Sequence, residues 1–234
     1  MAIERYKIIK VDSSVQNVRI FRLKPVSGAI PQYLPGQFFF LHMLDDAGSS
    51  ILKRPYSVAS SPSMEYLEFA IDMVGGQMTS QLEKRQPGDI LGAEGPAGHM
   101  TYKNEPKAAF VAGGTGISPF ISMLRHISEK NIQGRFVLFY STRTRDHILF
   151  SDELEALQKK HPGIKVVITL TRETPDGWAG ECGRVSHEML SRHVQAAKEF
   201  RWFVCGPQGM VKAMRECLIA LSVDPKKLRM EGWG

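Results

Sequence analysis

The sequence predicts two domains in tandem: an antiparallel β-barrel over residues 1–104, followed by a doubly wound α/β parallel sheet over residues 105–234. The first hundred residues hold short aromatic or β-branched runs bounded by Gly, Pro, Asp and Ser, the pattern of strands joined by frequent turns. From Lys107 onward, apolar runs alternate with helical periodicity, as in a parallel sheet with crossover helices. A chain of 234 residues is also long for one hydrophobic core and natural for two.

In the first half, strands are expected at 7–11, 18–23, 37–41, 56–58 and 66–71, with Pro35-Gly36-Gln37-Phe38 turning into the third and a loop at 45–50 before the fourth. Short strands with many turns suggest closure into a barrel. A short helix opens at Gly75-Gly76, and Gln86-Pro87-Gly88-Asp89 is a turn. In the second half, Ala108-Ala109-Phe110-Val111-Ala112 reads as a strand buried on both faces. A glycine turn leads into a helix over 120–127 with Phe120, Ile121 and Leu124 on one face. Strands at 136–140, 166–170 and 202–205 then alternate with helices at 151–160, 186–197 and 210–221. Ligands of such sheets lie at the carboxyl ends of the strands, where the informative residues fall.

Composition narrows the class. Hydrophobic residues at 43% and charged residues at 23% are ordinary globular values, so disorder is not indicated. No run approaches the roughly eighteen apolar residues of a membrane span, and no apolar signal core follows Met1 to Tyr6, so the expected compartment is the cytoplasm. Three widely spaced cysteines argue against a disulfide framework and against a four-cysteine iron–sulfur site. The seven histidines show no metal-ligand spacing, and no metal is expected. The net charge of +6 resides in the second half without a stripe of Lys, Arg and aromatics, so nucleic acid is not an expected partner. Such a field suits an anionic dinucleotide or an acidic protein, and equally an ordinary solvated surface.

Two segments carry the chemistry. In Arg54-Pro55-Tyr56-Ser57, Arg54 offers a planar fork for a phosphate, Tyr56 a flat surface on the same strand face, and Ser57 a short donor. About sixty residues on, Gly113-Gly114-Thr115-Gly116-Ile117-Ser118-Pro119 places a glycine turn between strand and helix. Proline stands where the dinucleotide fingerprint has its third glycine. It fits the first helical turn, where no amide is required, and the glycines still admit a pyrophosphate.

In this order and at this distance, the two segments resemble the ferredoxin-NADP⁺ reductase-like family of flavoproteins, over nearly the whole chain. The resemblance implies that Arg54, Pro55, Tyr56 and Ser57 hold a flavin, with Ser57 at its N5 atom and Tyr56 stacked on the ring. Gly75-Gly76-Gln77-Met78-Thr79 matches the family's second flavin motif, so Gly76, the amides of Gln77 and Met78 and the Thr79 hydroxyl would meet a pyrophosphate. That implies FAD rather than FMN. Gly95-Pro96-Ala97-Gly98 follows, again as in the family.

On the nucleotide side, the resemblance implies that Gly113, Gly114, Thr115 and Gly116 bind NAD(P)H, with Thr115 near the nicotinamide. Cys205-Gly206-Pro207 matches a second nucleotide motif. A strand cysteine is ordinarily a buried, inert thiol, whereas the family places this one against the carbon that donates hydride. Ser141, Arg143, Thr171, Arg172 and Arg184 look like the pattern of NADPH-using relatives, although NADH remains open. Near the C terminus, Glu231 and Trp233 keep the family's spacing of a proton-path glutamate and an aromatic stacked on the flavin, with Gly234 beyond. Ser57, Cys205 and Glu231 are the expected catalytic set. The implied function is an FAD-dependent NAD(P)H reductase serving an acidic electron carrier such as a ferredoxin, a flavodoxin or an oxygenase component. A reductase of free flavin or ferric chelates stays open, as does an electron-relay or nucleotide-sensing subunit of a larger complex.

Overall fold

The computed structural model describes residues 2–233, so Met1 and Gly234 lie outside the description. Strands β1 (Glu4–Asp12), β2 (Val18–Pro25), β3 (Phe38–Leu44), β4 (Ser50–Ser57), β5 (Leu67–Asp72) and β6 (Ile90–Ala97) form one antiparallel sheet in the order β4-β3-β6-β1-β2-β5. Alternation builds its core: Tyr6 and Ile8 of β1, Phe21 and Leu23 of β2, and Phe39 and Leu41 of β3 all point inward and are buried. Helix α1 (Gln77–Leu82) adds Met78 and Leu82 to that core.

The expected closed barrel is open in one place. β4 and β5 are the two edges of the sheet, and no ladder joins them. One backbone bond, Ala59 N–H to Glu68 O at 2.7 Å, ties them just past the end of β4. The gap beside β4 is therefore available to a ligand, and Pro55 lies on an edge strand where no ladder donor is missed. The fourth strand is also longer than expected and ends at Ser57, so Val58 falls outside it. Gly95-Pro96-Ala97 closes β6, an interior strand between β3 and β1 that the sequence pattern does not announce.

The second sheet contains β7 (Lys107–Gly113), β8 (Arg135–Thr142), β9 (Ile164–Leu170), β10 (Glu181–Cys182), β11 (Arg201–Pro207) and β12 (Leu228–Trp233). All pairs are parallel, in the order β10-β9-β8-β7-β11-β12. Helices α2 (Ser118–Glu129) and α3 (Ser151–Lys160) cover one face, and α4 (His187–His193) and α5 (Gln208–Ala220) the other. The two-residue period of β7 shows this directly: Ala108, Phe110 and Ala112 pack toward α2, while Ala109 and Val111 pack toward α5. The helix expected over 186–197 stops at His193, because Val194 is extended and Ala196 turns back with φ 54° before a short 3-10 turn. β10 and β12 were not expected from the sequence.

Ala59, just past β4, and Ala70 of β5 pack into the same core as α2 and α3. The helical layer is thus sandwiched between the two sheets. In β5, Leu67, Phe69 and Ile71 face the core of their own sheet, and Ala70 faces the helices.

Candidate functional site

The order of the second sheet reverses between β7 and β11, and both strands end there in glycine turns. Such a switch point leaves a crevice at the carboxyl ends of the strands. A cavity of about 510 Å³ occupies it. Gly113, Gly114 and Thr115 line it from the first turn and Pro207 from the second, while Ser141 lines it from the end of β8 and Arg143, Thr171, Arg172 and Arg184 from the loops after β8, β9 and β10. Those loops are laced together: Thr171 N–H donates to Thr142 O at 3.0 Å and Arg172 N–H to Arg143 O at 2.9 Å. Two cationic side chains are thereby set on adjacent turns. Glu173, the acidic member of that turn, is engaged elsewhere, its Oε1 accepting the Arg145 N–H.

A second cavity, of about 440 Å³, lies in the gap beside β4. Arg54, Pro55, Tyr56 and Ser57 form one wall, and Gly76, Gln77, Met78 and Thr79 another. The first bond of α1 runs from Ser80 N–H to Gly76 O, so the amides of Gln77, Met78 and Thr79 precede the intrahelical ladder. A Cβ built on Gly76 would meet nothing nearer than Thr79 Oγ1 at 3.8 Å, which leaves that approach clear. The Thr79 hydroxyl donates back to Gly76 O at 3.1 Å, so toward a ligand it is an acceptor rather than the donor a phosphate needs. Burial pushes the Tyr56 hydroxyl up to about 12, so the ring is a neutral phenol at any physiological pH. A fork, three amides, an aromatic face and apolar walls fit an aromatic ring joined to a pyrophosphate, the chemistry of FAD.

The two cavities share walls. Asp72, Thr115 and Trp233 line both, and Cys205 lines the one beside β4. Gly116 and Gly206, expected at the ligand, border neither cavity, and both are closely packed against protein atoms. A Cβ on Gly116 would stand 2.2 Å from Cys205 O, and one on Gly206 would stand 2.4 Å from Met210 Cε. Glu231 was expected at the transfer site and lines neither cavity. It pairs in register with Cys205, so it stands beside the cysteine on the neighbouring strand, and its Oε1 lies 3.9 Å from where a Cβ of Gly98 would be. Burial holds the Glu231 carboxyl above the usual range, against the opposing field of His99. Burial, reinforced by Glu231, likewise pushes the Cys205 thiol up.

Some lining residues carried no signal in the sequence. Val15, Gln16 and Asn17, in the turn between β1 and β2, reach across to the cavity of the other sheet. Asp72 ends β5, and burial raises its carboxyl while Arg143 and His147 oppose the rise. Only docking of the two sheets creates these contacts.

An open antiparallel sheet locked against a switch-point crevice defines a two-domain oxidoreductase that uses a flavin and a second dinucleotide. Comparison with known proteins gives the same class. Residues 5–102 match the oxidoreductase FAD-binding domain and residues 110–216 the oxidoreductase NAD-binding domain. An NADH–cytochrome b5 reductase 1 of Arabidopsis thaliana is 31% identical over 95% of this chain and 82% of its own length. A glycine betaine monooxygenase reductase subunit of Chromohalobacter salexigens is 30% identical over 97% of this chain. The chain spans 63% of that relative and 50% of an NADH–cytochrome b5 reductase 2 from Mycosarcoma maydis. Among solved structures, a ferredoxin NADP⁺ reductase from Neisseria gonorrhoeae superposes with a TM-score of 0.85 at 22% identity, covering 99% of both chains. The chain belongs to the ferredoxin-NADP⁺ reductase-like family of FAD- and NAD(P)-binding oxidoreductases. No helix among the described residues is long and apolar enough to cross a membrane.

Proposed function

We propose that this protein is an FAD-dependent reductase that draws electrons from NADPH and delivers them to a separate acidic carrier protein, of the ferredoxin, flavodoxin or oxygenase-component kind. The observation that carries the reading is the shared wall: Asp72, Thr115 and Trp233 border both cavities, so ligands filling them would meet at that line. The division of labour falls at residues 104 and 105, with most lining of the flavin-side cavity before it and most lining of the nucleotide-side cavity after it; Val15 to Val18 and Asp72 cross it in one direction, and Thr115, Ser118, Cys205 and Trp233 in the other.

Bound FAD would accept two electrons and a proton from the nicotinamide and pass the electrons on singly or as a pair. The chain's own part is positioning and tuning. Arg54 and the first amides of α1 would hold the pyrophosphate, and Tyr56 and Trp233 would offer aromatic faces to the ring. Ser57 would offer its hydroxyl to the ring edge. Thr115 and the small, neutral Cys205 thiol let the nicotinamide approach without a competing charge. Glu231, beside Cys205 on the neighbouring strand and bordering neither cavity, would act on the transfer site through Cys205 rather than on the ring directly. Arg143, Arg172 and Arg184 outnumber the one acidic residue of the cavity lining, Asp72, and favour the 2′-phosphate of NADPH over NADH.

The names of the relatives support a protein acceptor, since one is a cytochrome b5 reductase and another the reductase subunit of a monooxygenase. The purified protein should be yellow, bleach on addition of NADPH, and reduce cytochrome c only when a carrier is supplied. Bleaching without carrier-dependent turnover would point to a relay subunit, and a protein that takes up no FAD would end the reading.

A further inference from the structure

One face of α2 is laced to the stretch of chain that leaves β4. Ser122, Arg125 and Glu129 are spaced three and four apart and so share that face. Ser122 Oγ donates to Ser60 O at 2.6 Å. Arg125 Nη1 donates to Ala59 O at 2.7 Å and to Glu68 Oε1 at 2.7 Å. Glu129 Oε2 accepts from the Ser61 hydroxyl at 2.6 Å and the Ser63 hydroxyl at 2.5 Å. The rest of the Arg125 fork meets Glu153 of α3 in two bonds of 2.6 and 2.7 Å, and the second Glu68 oxygen takes Arg22 Nε at 2.6 Å.

The centre of this network is dry: the Arg125 and Glu68 side chains are 3% and 1% exposed. Burial opposes the charge on Arg125, but the hydrogen bonds and fields of Glu153 and Glu68 override it and hold the guanidinium above its usual value. A buried ion network adds little net stability over apolar packing, because desolvation offsets the attraction. What the fork supplies is direction, fixing three chain segments at once.

Its location gives that direction a use. Ala59 is two residues beyond Ser57, the last residue of β4, and Ser118, the first residue of α2, directly follows the glycine turn Gly114–Ile117. The clamp therefore joins the two sides of the seam by a short covalent route. Neither Arg125, Glu68 nor Ser122 lines either of the two cavities of the site.

We propose that Arg125 is a positioning residue that sets the offset between Ser57 and Thr115, and with it the ring-to-ring geometry on which flavin reduction depends. The inference rests on the reductase reading above. Near-attack geometry is steep, and a displacement of about 1 Å is enough to cost about 100-fold in rate.

The test compares Arg125→Lys and Ser122→Ala with the parent. Lysine keeps the charge but cannot span Ala59, Glu68 and Glu153 together. Four quantities are read: the rate of flavin bleaching at saturating NADPH, the half-saturating NADPH concentration, the long-wavelength absorbance of nicotinamide stacked on flavin, and amide hydrogen exchange over residues 57–61 in the protein as purified. For Arg125→Lys, the FAD absorbance persists, half-saturation stays within about twofold, and the bleaching rate falls about tenfold or more. The stacking band weakens and exchange over 57–61 accelerates. Ser122→Ala moves the rate in the same direction by about two- to fivefold. A folded, FAD-loaded Arg125→Lys that bleaches at the parental rate overturns the proposal. If that variant does not fold, Ser122→Ala at the parental rate overturns it. Should the parent itself take up no FAD, the reductase reading fails separately. Exchange over 57–61 then decides the clamp: acceleration in the variant supports it and unchanged exchange refutes it.

Discussion

Cys205 and Glu231 stand side by side in the parallel pair of β11 and β12, and burial pushes the pKa of each upward. A thiol with a raised pKa is almost wholly protonated near neutrality, and the thiolate is the species that alkylates. Cys182 is exposed, Cys217 is intermediate and Cys205 is buried. Iodoacetamide at neutral pH should therefore modify Cys182 first, Cys217 more slowly and Cys205 only after denaturation, as followed by peptide mass spectrometry. Cys205 reacting in the native protein as fast as Cys182 would contradict the neutral, enclosed thiol required here.

Glu231 also makes stability depend on pH. Its carboxyl binds a proton more tightly in the folded chain than in the unfolded one, because burial raises its pKa from 4.5. Folding therefore takes up protons in the window above that value, and the contribution of Glu231 is lost as pH rises through the folded pKa. Glu231→Gln removes the loss. Its thermal unfolding midpoint should exceed that of the parent at pH 8, with the gap narrowing as pH falls toward 5. A variant less stable than the parent at pH 8 would show that the carboxylate is paired and stabilising.

Gly116 is required by space rather than by dihedral angle. A Cβ there would lie 2.2 Å from Cys205 O, 2.7 Å from Cys205 C and 2.8 Å from Trp233 Cη2, and the backbone atoms cannot swing aside. Gly116→Ala should cost about 3 kcal/mol, the upper end of overpacking, and displace two residues that border the flavin-side cavity. Gly48 is the control. It has φ +81° with nothing within 4 Å of its Cβ position, so Gly48→Ala adds only the left-handed strain of about 1–2 kcal/mol. Denaturant melts and FAD absorbance separate the two: Gly116→Ala loses both stability and flavin, whereas Gly48→Ala keeps its flavin.

The sequence made legible whatever depends on one segment. The strand and helix alternation after Lys107, the glycine turn at 113–116 and the run from Arg54 to Ser57 fall in the structure where local pattern put them. β6 was hidden because its composition is that of a turn. Its glycines are there for close approach: a Cβ on Gly95 would strike the Phe39 ring at 2.5 Å, and one on Gly92 would strike Ile3 at 2.7 Å. β12 contains three exposed residues, one of them a glycine, and it is a strand because β11 offers it an edge. Asp72, Asn17 and Arg125 are informative only across the interface between the sheets. A helical arginine reads as solvent-facing until Glu68 of the other sheet is placed against it.

The three arginines of the switch-point cavity give the sharpest test of nucleotide choice. Arg143, Arg172 and Arg184 line the cavity, and the laced turns hold the first two close together. A hydrogen bond to a charged group is worth about 1.5–3 kcal/mol, or about ten- to a hundredfold in affinity. Each Arg→Ala variant should therefore lower kcat/KM with NADPH by about ten- to a hundredfold. With NADH, which lacks the 2′-phosphate, the change should be no more than about threefold, at the level of a surface charge. The NADPH KM should rise with ionic strength in the parent and lose part of that dependence in each variant, because the removed contact is a screened ion pair. Equal losses with both nucleotides would move the arginines from the 2′-phosphate to the shared pyrophosphate. A parent that prefers NADH would withdraw the NADPH assignment and leave the reductase reading intact.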